Sequence, residues 1–168
     1  VTVADSAGLT DTQTVTVNVM DVTENVTPTI DTKNLQAFLR NNKKVDFRTA
    51  DLLHASTLDS YKWTGLEDNK EGLISQLKAY QRLLRIVPND QYDLAIKLLQ
   101  SGFQSALQIA NMPSKVFIKD NLKTFGNDTA LAQSVYKRAV AIRKVVTLQY
   151  TARAQQTGAH SRVAGLAR

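Results

Sequence analysis

The chain has 168 residues, enough for one ordinary domain with a little left over for part of a second. With 43% hydrophobic and 21% charged residues it can bury a core, which excludes wholesale disorder, and its lack of cysteine excludes disulfides, thiol nucleophiles and cysteine metal sites. The net charge is +6, but Asp5, Asp11, Asp21, Glu24 and Asp31 give residues 1–31 a charge of −5 with no Lys or Arg, so the rest of the chain carries +11. That asymmetry marks a boundary between two pieces. No apolar run approaches the ~20 residues of a membrane span, and no charged-then-apolar signal peptide is read at the start. A chain beginning at Val1 reads as a processed product or a segment of something longer.

The acidic opening comes first. From Thr14 to Val19 polar and apolar or β-branched residues alternate with period two, which predicts a half-buried strand. Val1 and Val3, followed by the turn-forming run from Asp5 to Gly8, supply a truncated second strand, so a β-hairpin is expected. A lone hairpin is marginal in water and needs further strands to complete it.

The stretch from Val1 to Leu9, the strand Val15-Thr16-Val17-Asn18-Val19, and Asp21-Val22-Thr23-Glu24-Asn25 with Pro28 after it resemble the end of a cadherin-like repeat and its exit linker. The resemblance covers about residues 1–28, with the repeat ending at 26 and a linker over 27–33, and Thr23 stands where the family has Asn. It implies calcium held by Asp5, Asp21, Glu24 and Asn25, a set of oxygen donors suited to a hard cation. The alternative reading of the same residues is an acidic, solvated strand and linker.

After the Thr/Pro linker the period changes, and residues 34–156 read as a helical domain. Helices are expected over Asn34–Leu39 and over Phe47–Ala55, with a polar turn at Asn41-Asn42-Lys43-Lys44 between them. The strongest segment runs from about Asn69 to Val87, with Leu73, Ile74, Leu77, Tyr80, Leu83, Leu84 and Val87 on one face. Pro88 stops it, and Asn89 is placed to cap a helix from about Asp90 to Gln100 that ends at Gly102. Shorter helices follow at Ala106–Asn111 and, from Pro113, to about Leu122. Asn127 or Asp128 caps a long last helix to roughly Gln156, with Leu131, Val135, Ala139, Ile142, Val146 and Tyr150 as its apolar stripe. Residues 157–168 read as a flexible basic tail.

Enzymatic constellations are missing. His54 and His160 lie far apart in sequence, Glu67, Asp68 and Glu71 sit at a helix entrance where acids favour the dipole, and no nucleophile elbow, zincin, Walker or dinucleotide motif occurs. The chain therefore reads as non-catalytic. After Asp128 there is no acid, while Lys137, Arg138, Arg143 and Lys144 form a basic interaction candidate with Arg153, Arg162 and Arg168 beyond them. These charges are spread around the helix rather than along one stripe, which favours a solvated face or a protein partner over nucleic acid or a membrane surface.

The run from Leu98 to Pro113, with Gly102 at its turn, resembles the front half of a helix-hairpin-helix unit but lacks the second phosphate-gripping hairpin. A longer resemblance spans residues 60–155. Trp63-Thr64-Gly65-Leu66, Leu77 to Ile86, Leu99 to Pro113 and the basic last helix resemble the N-terminal helical region of the A subunits of bacterial insecticidal toxin complexes (Tc toxins), shared with Salmonella virulence-plasmid A-type proteins. The resemblance implies a secreted or cell-surface location and a structural part of a toxin shell or delivery scaffold, with no catalytic residues to transfer.

The expected fold is mainly α, a multi-helix bundle with a helix-hairpin-helix-like element, preceded by a short β-hairpin fragment of a β-sandwich repeat. Leu83, Leu84, Leu98, Leu99 and Phe103 are its expected core, buttressed by Trp63 and Tyr80, with Gly102 and Pro113 setting its turns. The expected function is a non-catalytic structural and interaction module of a large toxin-like or adhesin-like protein, partnered by other domains or subunits of the parent assembly. Two alternatives stand beside it, a nucleic-acid-binding helix-hairpin-helix module and a calcium-dependent linker of an adhesin.

Overall fold

The computed structural model describes the backbone of residues 2–4, 10–12 and 29–166, and side chains over 29–157. The described chain is mainly helical. Near its start two short strands, β1 (Thr2–Ala4) and β2 (Thr10–Thr12), pair antiparallel with Val3 opposite Asp11. The alternating strand expected at Val15–Val19 lies outside the described residues.

Helix α1 (Lys33–Asn41) starts where Asp31 Oδ1 accepts the Lys33 N–H, and it buries Leu35 and Phe38. Its end is fixed by a side chain in the expected turn. Asn42 is buried, donates from Nδ2 to the carbonyls of Phe38 and Lys62 at 2.9 and 3.0 Å, and accepts the Lys62 N–H at 2.8 Å. A buried amide satisfied at both ends ties α1 to a loop twenty residues away.

The helix expected over Phe47–Ala55 does not form there. Residues 47–49 make a turn, and α2 (Ala55–Ser60) begins only at the far end of the predicted span. The cause is local: Asp51 Oδ1 accepts the N–H groups of Leu53 and His54 at 2.8 and 3.2 Å, holding the chain extended before the helix. Phe47 is still buried, stacked in a cluster with Phe38, Tyr61 and Trp63 at centroid distances of 4.6 to 6.1 Å. Trp63 Nε1 donates to the Leu58 carbonyl at 2.7 Å, so the indole is buried without an orphaned donor.

A 3₁₀ turn (Glu67–Asn69) leads into α3 (Lys70–Leu84), whose apolar face buries Leu73, Leu77, Tyr80, Leu83 and Leu84. The last carbonyl of α3 and one in the turn after it meet a cation from the loop: Arg48 donates to the carbonyls of Leu84 and Pro88. Helix α4 (Tyr92–Gln100) packs against α3, and its N-cap position is Gln91 rather than the expected Asn89. It ends in a Schellman turn, with Phe103 N–H donating to Leu98 O at 3.1 Å and Gly102 N–H to Leu99 O at 2.9 Å. Gly102 has φ +95°, a conformation that costs a residue with a Cβ about 1–2 kcal/mol.

Helix α5 (Ala106–Ala110) is capped by Ser105, and α6 (Ser114–Asn121) follows Pro113. The two helices flanking Gly102 are not a close pair: α4 has α3 as its neighbour, whereas α5 packs on the last helix, α7 (Thr129–Leu166), as does α6. The expected close crossing of a helix-hairpin-helix is therefore replaced by a turn that hands the chain from one helix pair to the next. A second aromatic cluster, Phe103, Phe117, Phe125 and Tyr136, fills the space beneath α7 with centroids 5.7 to 5.8 Å apart.

Candidate interaction surface

Helix α7 begins where Asp128 Oδ1 accepts the Leu131 N–H at 3.0 Å, the cap expected from the sequence. Over its first turns Ala132, Val135 and Ala139 are completely buried, and the two alanines let α5 and α6 approach closely. Two polar side chains lock this half in place. Tyr136 donates its hydroxyl to the Met112 carbonyl at 2.7 Å, and Arg143 Nη1 donates to the Ala110 carbonyl at 2.6 Å, at the C-terminal end of α5. Arg143 is thus committed to the molecule's own packing, in contrast to its neighbours in the basic cluster.

From Lys144 to Thr157 every side chain is exposed. Over this stretch, about 20 Å of helix, Val145, Val146, Leu148 and Tyr150 are 54%, 43%, 69% and 76% exposed. Val146 and Tyr150 extend the buried stripe past the point where the bundle ends, so the stripe expected from Leu131 to Tyr150 is core only as far as Ile142. On the opposite face Lys137, Ala141, Lys144, Val145 and Leu148 recur at helical spacing, with the exposed Arg138 at its flank. The helix continues beyond Gln156, where its end was expected, to Leu166. The hydroxyls of Thr147 and Thr151 donate back to the carbonyls of Arg143 and Thr147, so they add no outward donors.

The expected core side chains Trp63, Tyr80, Leu83, Leu84, Leu98, Leu99 and Phe103 are all buried, and Pro113 is exposed just before α6. The calcium candidates Asp5, Asp21, Glu24 and Asn25 lie outside the described residues. Among the described residues no three His, Cys, Asp or Glu side chains gather as a metal site would require. No helix among them is long and apolar enough to cross a membrane.

Three titratable groups among the described residues are shifted by their surroundings. The Asp51 carboxyl falls from 3.8 to about 2, because the Leu53 N–H and then the His54 side chain bond to its charged form. Burial pushes the Tyr80 hydroxyl up from 10.0 to about 12. Burial, and then the nearby Asp51 charge, pushes the Tyr61 hydroxyl above its ordinary 10.0.

Periodicity missed Asn42, Arg48 and Asn121, polar residues whose side chains close helix ends by bonding main-chain carbonyls. Only the position of Asn42 and Asn121, four residues after a buried aromatic, hints at that role in the sequence. Compared with known proteins, the chain matches no family model, no curated protein and no solved structure.

Proposed function

We propose that the chain is a non-catalytic structural and interaction module of a large secreted or surface-exposed bacterial toxin-like or adhesin-like protein, and that it docks on its parent assembly through α7. The observation that carries this reading is the change of environment within one helix. Val145 and Leu148 on the face of Lys137 and Lys144, and Val146 and Tyr150 on the opposite face, present apolar surface that no other described residue covers, with Arg138 at the flank and no acid after Asp128. A second copy of so basic a helix repels the first, so the fitting partner is an acidic, partly apolar surface of a neighbouring module. The resemblance of residues 60–155 to toxin-complex A subunits supports a shell or delivery scaffold as the parent. In the same reading the β1–β2 pair ends a cadherin-like β-sandwich repeat, completed by strands of that parent.

The test is a binding measurement between this chain and the separately expressed segments that flank it in its parent. Binding that is lost in a Leu148→Asp, Tyr150→Asp variant with unchanged circular dichroism is the expected result. A monomeric chain that binds no flanking segment overturns the reading, as does tight duplex DNA binding whose affinity falls steeply with salt.

A further inference from the structure

Away from α7, the end of α1, the turn after it and α4 enclose a half-open cleft of about 740 Å³. That volume lies in the range of sites that hold organic ligands, roughly 300–1,000 Å³. Its base is apolar, formed by Phe47, Ile96 and the ring of Tyr80. Around it stand four exposed cations, Arg40, Lys43 and Lys44 from α1 and its turn and Lys97 from α4. None of the four is in an ion pair among the described residues, where the only such pairs are His54–Asp51 and Lys70–Asp59.

Tyr80 adds a second observation. It is 3% exposed, lines the cleft, and its hydroxyl has no hydrogen-bond partner among the described residues. The buried side-chain polar atoms left unpaired among the described residues are Arg48 Nε and Gln76 Oε1, so the unbonded Tyr80 hydroxyl keeps its contact with the open cleft. The main chain, moreover, already runs along the edge of this cleft, where the Ile30 N–H donates to the carbonyl of Gln100, itself a lining residue, at 3.1 Å.

We propose that the cleft binds an extended acidic peptide segment of a neighbouring polypeptide. Its carboxylates reach Arg40, Lys43 and Lys44 on one side and Lys97 on the other, apolar side chains between them cover Phe47 and Ile96, and the Tyr80 hydroxyl donates to a peptide carbonyl. Two acids also line the cleft, Asp46 and Asp93. They favour a peptide over a nucleic acid, because a peptide brings N–H donors for them along with carboxylates for the cations, whereas a phosphate backbone brings acceptors alone. This inference rests on a surface separate from α7 and stands or falls independently of the docking role given to that helix.

The test is fluorescence anisotropy on the full chain with a short labelled peptide of alternating glutamate and leucine, its glutamine-for-glutamate counterpart, and a labelled single-stranded oligonucleotide. The acidic peptide is expected to bind and the glutamine peptide to bind far more weakly. Lys44→Glu with Lys97→Glu weakens binding about tenfold or more, by removing two attractions and adding two repulsions. Tyr80→Phe, which deletes only the hydroxyl, weakens it about fivefold, and Lys97→Gln gives a smaller loss in the same direction. Lys115→Glu with Lys119→Glu, exposed on α6 and outside both proposed surfaces, leaves it unchanged. Equal affinity for the glutamine peptide, preference for the oligonucleotide, or indifference to the Lys44 and Lys97 changes overturns the proposal.

Discussion

The two halves of α7 are built from similar residues in different surroundings. Up to Arg143 the helix lies on α5 and α6, with Ala132, Val135 and Ala139 out of water and Tyr136 and Arg143 bonded to main-chain carbonyls. Beyond it Val145, Leu148 and Tyr150 are as apolar as the residues before, and all three are more than half exposed. A periodic apolar stripe says that a helix has a partner, but not in which molecule. The first half finds its partner among the described residues, and the second half is the surface to which the partner proposed above is assigned. Each large side chain a partner covers there contributes roughly 1.5–3 kcal/mol of association before the entropic costs.

The contrast is open to mutation, and the largest effect lies beneath the first half. Phe117 is fully buried among Phe103, Phe125 and Tyr136. Phe117→Ala is expected to cost about 3–5 kcal/mol in urea unfolding, while Leu148→Ala in the second half stays within about 0.5 kcal/mol. Similar losses at the two sites would erase the distinction. Next comes Gly102→Ala, which forces a Cβ into a left-handed turn at φ +95° and should lower stability by about 1–2 kcal/mol.

A smaller effect separates the basic residues from one another. Arg143→Ala removes the bond to the Ala110 carbonyl and is expected to cost about 1 kcal/mol, against nearly nothing for Lys144→Ala. Equal costs at the two positions would mean that Arg143 anchors nothing. The weakest signal is a pH dependence from the loop before α2. The folded state depresses the Asp51 carboxyl from 3.8 to about 2, so its contribution is complete above about pH 4 and is lost as pH falls toward 2. Asp51→Asn should flatten the fall in melting temperature across that window, and an unaltered acid limb would argue against the assignment.

Where periodicity and capping agreed, the structure was readable from the residues. Leu73 to Leu84 gave α3, Asp128 gave the start of α7, and Gly102 gave a left-handed turn. The reading failed where a polar side chain overrode an apolar pattern. Phe47, Leu52 and Leu53 look helical by spacing, yet Asp51 takes the N–H groups of Leu53 and His54 and delays α2 to Ala55. It failed differently at Val146 and Tyr150, whose spacing continues the core stripe although the bundle ends before them. The cleft around Tyr80 was illegible because its four cations come from sequence positions up to 57 residues apart, joined only by the packing of α3, α4 and α1. Of the acidic opening only Thr2–Ala4 and Thr10–Thr12 are described, and the proposed calcium ligands lie outside the described residues, so its resemblance is a proposal on sequence alone.

Amide hydrogen exchange along α7, in the chain alone and with the flanking segments of its parent added, tests most directly whether the second half awaits a partner. In the chain alone, protection should be strong from Ala132 to about Arg143 and fall away from Lys144 onward, since a helix end without tertiary contacts opens easily. With the parental segments present, protection should extend through Tyr150. Strong, uniform protection through Thr157 in the isolated monomer, or a second half that stays unprotected with every parental segment, would contradict it.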